Sequence, residues 1–173
     1  MLQEHEIERI SHRLHDTDVF RRLTDEQRRR VAAIGHMQHV APAERLAEAG
    51  SRGHELYVVL SGELRLFARH GEVERVVRRA HARETVPLAV LLDPPVLVTA
   101  IEGAVDAEVF TLPRAALIEL CDADPAIGLQ VYRAAARSFE ERYRSTLDNL
   151  VHSLRSALSV ARSGAPGGDQ PPN

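Results

Sequence analysis

The sequence predicts a mainly β fold with α-helices: an antiparallel β-roll of jelly-roll type, flanked by N-terminal helices and followed by a long C-terminal dimerisation helix. Three observations predict it. From about residue 36 to 112, β-branched residues alternate with polar ones between recurrent turn signals at Ser61-Gly62, His70-Gly71 and Gly103, the pattern of many short strands in a sandwich or barrel. The segments on either side carry apolar residues at helical spacing instead. Beyond Pro125 no further proline occurs before residue 162, so one helix can run that whole distance.

The N-terminal helices occupy residues 1–34. Leu2, Ile7, Ile10 and Leu14 fall near helical spacing with charges between them. Thr24-Asp25-Glu26-Gln27 reads as a capping box that starts a short helix, and Gly35 stops it. The roll, with a short internal helix and a first C-terminal helix, is assigned to residues 35–124. Its strands are Glu55–Leu60, Glu63–Leu66, Val73–Val77, Val96–Ile101 and Val105–Leu112. Pro87–Leu92 is short and apolar. Proline suits the first helical position, where the amide has no helical partner, so a helix of one to two turns is expected here, closed by Asp93-Pro94-Pro95. Pro113–Cys121 forms a helix, and Asp124-Pro125 caps and opens the next. That last helix, residues 125–162, would span roughly 57 Å at ~1.5 Å per residue. The Gly- and Pro-rich tail, 163–173, is expected to be disordered.

Composition narrows the function. The chain has 173 residues, 44% hydrophobic and 27% charged, with a formal net charge of −3, so no global charge draws it to nucleic acid. All 22 basic residues are arginine, which removes any lysine Schiff-base chemistry. A single cysteine, Cys121, excludes an internal disulfide or a cysteine metal cage. The polar start, Met1 to Glu6, lacks the apolar run of a signal peptide, and no stretch approaches a membrane span. A cytoplasmic protein without membrane contact is expected.

The order of elements, together with particular residues, resembles the cyclic-nucleotide-binding domain family. Val40-Ala41-Pro42-Ala43-Glu44-Arg45-Leu46 resembles the family's strand and turn before the first hairpin, with Pro42-Ala43 in place of the usual Pro-Gly. Gly50 followed by Glu55-Leu56-Tyr57-Val58-Val59-Leu60-Ser61-Gly62-Glu63-Leu64 resembles its most recognisable stretch, and Thr111–Leu120 with Asp124-Pro125 resembles the closing helices. The likeness covers about residues 17–155 and is nearest to catabolite-activator-type sensor domains of the Crp/Fnr kind. Those continue into a helix-turn-helix domain; here a polar tail follows, so direct DNA reading is not expected.

The resemblance implies that the short internal helix is a phosphate-binding cassette, in which helix-start amides face a cyclic phosphate, a glutamate takes the ribose hydroxyl and an arginine pairs the phosphate. In this sequence the Gly-Glu pair falls on Val86-Pro87, the arginine on Val96 or Leu97, and the following small residues near Val98, Thr99 and Ala100. Leu88 to Leu92, with Ala89, keep the helix, but both charges are gone. A dry pocket must pair a phosphate's charge, and losing two charge-assisted partners costs roughly a thousandfold in affinity. No cofactor is therefore expected. A cyclic nucleotide is left open by the resemblance, with the missing charges counting against it, and so is haem, which distant relatives bind in this fold.

Other residues could substitute. Arg83 and Glu84 precede the cassette and either reach in or are solvated loop charges. Arg142 and Tyr143 fall where relatives contact the base; Tyr143 also fits a dimer seam, the reading favoured here. Tyr143, Leu147, Leu150, Leu154, Ala157 and Ala161 follow 4-3 spacing, with Phe139, Val151 and Leu158 beside them, so Phe139, Tyr143, Leu147, Leu150, Leu154 and Ala157 are the expected dimer contacts. A helix folded back on a monomer is the alternative.

Nine histidines invite a metal site, but His12/His15 and His36/His39 lack the His-Glu-x-x-His form, and i, i+3 on a strand points to opposite faces. No metal is expected. Cys121 reads as a packing residue and Arg28-Arg29-Arg30 as the solvent face of a helix. With no nucleophile motif or phosphate loop, the expected function is a non-catalytic regulatory or scaffold module, a homodimer with a degenerate cassette that acts through a partner protein. Two alternatives stand beside it: a small-ligand or cyclic-nucleotide sensor with an altered pocket on which Val86, Pro87, Val96 and Leu97 converge, and a dominant-negative-type transcription regulator lacking its DNA-reading domain.

Overall fold

A computed structural model describes residues 3–71 and 73–163, with the backbone alone at residues 70, 157 and 160–163. Leu2 of the expected N-terminal row, and the tail from 164, lie outside the described residues. Two compact units are present, one ending at Ala136 and the next starting at Arg137.

In the first unit, α1 (Glu4–Leu14) and α2 (Asp25–Ala33) lead into the strands. The predicted capping box forms: the Gln27 amide donates to the Thr24 hydroxyl (3.2 Å), and the Thr24 amide donates to the Gln27 side-chain oxygen (3.0 Å). The strands are β1 (His36–Val40), β2 (Arg45–Ala47), β3 (Glu55–Ser61), β4 (Glu63–His70), β5 (Val73–His81), β6 (Thr85–Val86), β7 (Ala100–Gly103) and β8 (Ala107–Pro113). They form two antiparallel four-stranded sheets, ordered β1-β8-β3-β6 and β2-β7-β4-β5. Helix α3 (Arg114–Ala123) follows. Asp124 then caps α4 (Pro125–Ser163), accepting from the amides of Ala126 (3.1 Å) and Ile127 (3.3 Å) as its sequence position predicts.

The central strands β3 and β8 of the first sheet are buried on both faces, and the two-residue period of a strand sorts their side chains between two cores. Leu56, Val58, Phe110 and Leu112 join α1, α2, α3 and the start of α4 in one apolar cluster. Tyr57, Val59, Val86 and Val109 point the other way and meet Leu64, Leu66, Ala80 and Ile101 of the second sheet inside the roll. The second sheet's outer face is mixed, with Phe67 beneath the guanidinium groups of Arg45 and Arg65. A row across it runs Arg45, Glu102, Arg65, with Arg65 held to Glu102 at 2.8 Å. Asp18, after α1, fastens the helices to the roll by accepting from the Thr85 hydroxyl (2.6 Å) and the Thr85 amide (3.2 Å).

Three sequence expectations are corrected. The strand expected over Val96–Ile101 begins only at Ala100, because the preceding residues wrap past the turn and make one isolated bridge, Arg52 to Val96. The expected helix over Pro87–Leu92 is a single 3-10 turn, Leu88–Leu91; four residues cannot close more than one turn. Arg28-Arg29-Arg30 is a solvent face only in part, with Arg29 exposed, Arg30 half-buried and Arg28 buried. Arg28 is buried and bonded to the Leu23 carbonyl and Asp25, Arg29 grips Glu8 of α1 at 2.7 Å, and Arg30 pairs with Asp124. The run fastens α2 to its neighbours. Among the described residues no helix is long and apolar enough to cross a membrane.

Two measurements check this packing. Gly62 and Gly71 both have positive φ, but a methyl group at Gly62 would collide with the Asp106 carbonyl and stand 2.6 Å from the Ala107 Cα, whereas Gly71 has open space. Gly71→Ala should therefore cost about 1–2 kcal/mol for backbone conformation alone, and Gly62→Ala clearly more, in denaturant titration. Burial pushes the Cys121 thiol up to about 11. Since only the thiolate reacts, labelling at pH 8 should be roughly a hundredfold slower in the folded than in the unfolded protein; equal rates would contradict the packing role.

Candidate functional site

Residues 86–99 are placed by burial on both sides of the first sheet. Val86, on β6 opposite Tyr57, belongs to the roll interior. Pro87 is buried in extended conformation, and the 3-10 turn then puts Leu88, Val90 and Leu91 into the helix-side core, with Ala89 half-buried. Backbone bonds secure the chain beyond it. The Leu97 amide donates to Ser51 (2.9 Å), the Gly50 amide to Leu97 (2.7 Å) and the Gly53 amide to Pro95 (2.7 Å). Gly53 is needed for this approach: a Cβ there would stand 2.7 Å from side-chain carbons of both Leu97 and Val90. Arg114 closes the turn from below, its Nε donating to the Val90 carbonyl (2.9 Å) and a terminal nitrogen to that of Leu92 (3.3 Å). Carbonyls left free at the turn's end thereby find a charged donor. Nothing in the sequence singled out Arg114 for this.

The convergence of Val86, Pro87, Val96 and Leu97 on one cavity does not occur. Val86 lies in the roll interior, Leu97 in the helix-side core, and Val96 is 44% exposed on the surface. Successive residues of an extended chain face opposite ways, so 96 and 97 cannot share a pocket. Thr99 is half-buried at the end of this segment.

A cavity of about 590 Å³ opens beside it, between β2, the 48–54 loop and the start of β3. Leu97 is the one segment residue in its wall, with Leu46, Ala47 and Tyr57. The Tyr57 hydroxyl donates to Glu55 (3.0 Å), with the Leu46 carbonyl at 3.3 Å, and burial, then the nearby Glu55 charge, push its pKa up. Arg45, on the rim, is already met by Glu74 (3.0 Å), Glu48 (3.5 Å) and Glu102 (3.6 Å).

The charged candidates before the turn do not reach the turn. Arg83, at φ 78°, is exposed, 3.9 Å from Asp16, and its amide and carbonyl are spent on Val59 and Asp18. Glu84 accepts from Arg78 (2.6 Å) and from the His81 amide (2.7 Å). Arg78 is not singled out in the sequence analysis. It pairs across the sheet with Leu66, so it shares that residue's inward face, and one of its terminal nitrogens is buried without a partner. The signal was available: Ala80 is an inward residue of β5, and two positions back along the alternation stands Arg78. Ending the expected strand at Val77 hid it. An arginine and a carboxylate thus stand at the inner rim of the roll, joined to each other.

In the second unit, Phe139, Tyr143, Leu147, Leu150 and Leu154 lie exposed along α4, and Arg142 is half-buried. The Ala157 side chain lies outside the described residues. Among the described residues no group of His, Cys, Asp or Glu is arranged to hold a metal ion.

The sequence model of the cyclic nucleotide-binding domain family matches residues 37–124. No curated protein matches the chain. Among solved structures, the chain is similar to a cyclic nucleotide-binding domain from Methylobacillus flagellatus, with TM-score 0.73 at 17% identity over 85% of this chain and 83% of that one. It is also similar to the N-terminal domain of a transcriptional regulator from Streptomyces coelicolor (TM-score 0.63, 24% identity, 78% and 94% covered) and to the catabolite activator protein of Thermus thermophilus (0.65, 23%, 86% and 72%). At these identities the structural likeness is one of fold, and it agrees with a sequence match spanning half of the chain: the chain belongs to the cyclic nucleotide-binding domain family.

Proposed function

We propose that this chain is a non-catalytic regulatory or scaffold module, a homodimer that acts through a partner protein, whose degenerate cassette does not hold a cyclic phosphate. One observation carries the reading: Val86, Pro87 and Leu97, which stand where the family resemblance puts the glycine, the glutamate and one candidate position for the arginine, are all buried, Val86 and Leu97 within apolar clusters. A phosphate brought there would be desolvated without a cation. The pairing of Arg78 with Glu84 (2.6 Å) supports the same reading, since the inward arginine already has a carboxylate beside it.

The dimer rests on α4. The 4-3 row Tyr143, Leu147, Leu150, Leu154 is exposed throughout, and a leucine row at that spacing is covered when two such helices pair. Leu150→Glu should shift the protein from dimer to monomer in sedimentation equilibrium and leave the unfolding of the roll unchanged; a dimer that survives the change removes α4 as the seam.

Calorimetric titration of the full chain with cAMP and cGMP should show no heat of binding. Micromolar binding of either would overturn the degenerate cassette. A second reading, a sensor with an altered pocket, is favoured by the 590 Å³ cavity with its wall of Leu46, Ala47, Tyr57 and Leu97. Native mass spectrometry of the purified protein decides between them: an empty dimer supports the first, a co-purified small molecule the second.

A further inference from the structure

Two arginines and two glutamates line the 590 Å³ cavity between β2, the 48–54 loop and β3, and they divide into two kinds. Arg45 and Glu48 are already paired, 3.5 Å apart, and Arg45 also meets Glu74 and Glu102. Arg52 and Glu55 are not neutralised. Among the described residues Arg52 makes no ion pair and no side-chain hydrogen bond, and Glu55 has no cation beside it. The one partner of the half-buried Glu55 carboxylate is the neutral hydroxyl of Tyr57, 3.0 Å away. The same wall is apolar at Leu46, Ala47 and Leu97, and the last two pack on the helix-side core. A cavity of this size, partly apolar and with a few polar groups around it, is the common form of a small-molecule site.

An anion alone would meet Glu55 as well as Arg52, and a cation alone would meet Arg52 as well as Glu55. A molecule carrying both charges on an apolar body matches all three features of the wall. We propose that the cavity binds an α-amino acid with an apolar side chain. Its carboxylate accepts from the Arg52 guanidinium, its ammonium donates to the Glu55 carboxylate, and its side chain lies against Leu46, Ala47 and Leu97. Arg52 and Glu55 are three residues apart, at most ~10 Å of chain, so a small zwitterion reaches both. This ligand class rests on the second reading above, a sensor with an altered pocket. It leaves the cassette as it stands, because Leu97 is the only residue of 86–99 in this wall.

Calorimetric titration of the full chain compares leucine with 4-methylpentanoate, which lacks the ammonium, and with isopentylamine, which lacks the carboxylate. Leucine should bind saturably and each truncated probe about tenfold more weakly, the loss of one charge-assisted bond. Two variants assign the charges. Glu55→Gln, which keeps an acceptor for the Tyr57 hydroxyl, should weaken leucine about tenfold and should not weaken 4-methylpentanoate. Arg52→Gln, at an exposed position, should weaken leucine equally and should not weaken isopentylamine. No saturable heat with leucine overturns the proposal, and so does leucine binding that either variant leaves unchanged. The amino acid and the sensor reading fail separately. Leucine silent while native mass spectrometry shows a different bound molecule removes the amino acid alone, and leucine silent with an empty protein removes both.

Discussion

The structure depends on a single sheet being buried on both faces. Strands β3 and β8 alternate strictly, so Leu56 and Val58 serve the helices while Tyr57 and Val59 serve the roll, and neither core can shift without the other. The segment from Val86 to Leu97 crosses between these cores. Val86 is anchored in one, and Leu88, Val90, Leu91 and Leu97 in the other. Burying side chains of this size stabilises by about 1.5–3 kcal/mol each. The turn is thus held by apolar contact, with Arg114 and the 50–53 loop as its polar fastenings.

This changes where the charges are used. Arginine is the only strong cation in the chain, and the side chains nearest the candidate site are spent on structure. Arg114 caps the turn, Arg45 binds three carboxylates, and Arg78 is tied to Glu84. Arg13 reaches Glu108 at 2.6 Å, joining the first helix to β8. A guanidinium fork suits such roles because it donates in several directions at once.

Much of this was legible in the sequence. The buried apolar strand Glu55–Leu60, the Thr24 capping box, the Asp124-Pro125 helix start and the long last helix each rest on a local rule, and each forms. Of the candidate site the sequence shows only that Val86 and Pro87 carry no charge; the opposite burial of Val96 and Leu97 depends on how the segment pairs with residues 50–53. Arg28 was misread for a similar reason. Its neighbours in sequence are charged, yet its place against Leu23 and α1 is a tertiary fact that no helical pattern carries. Strands β2 and β6, of three and two residues, are too short to display a period at all.

The central claim is that the segment from residue 86 to 99 is closed by its own side chains. Amide hydrogen exchange of the ligand-free full chain tests it most directly. The account predicts strong protection at Val90, Leu92 and Leu97, whose amides donate to Pro87, Ala89 and Ser51, approaching that of β3 and β8, and no change when cAMP is added. Fast exchange across residues 86–99, slowing on addition of the nucleotide, would contradict it and mark a segment waiting for its ligand.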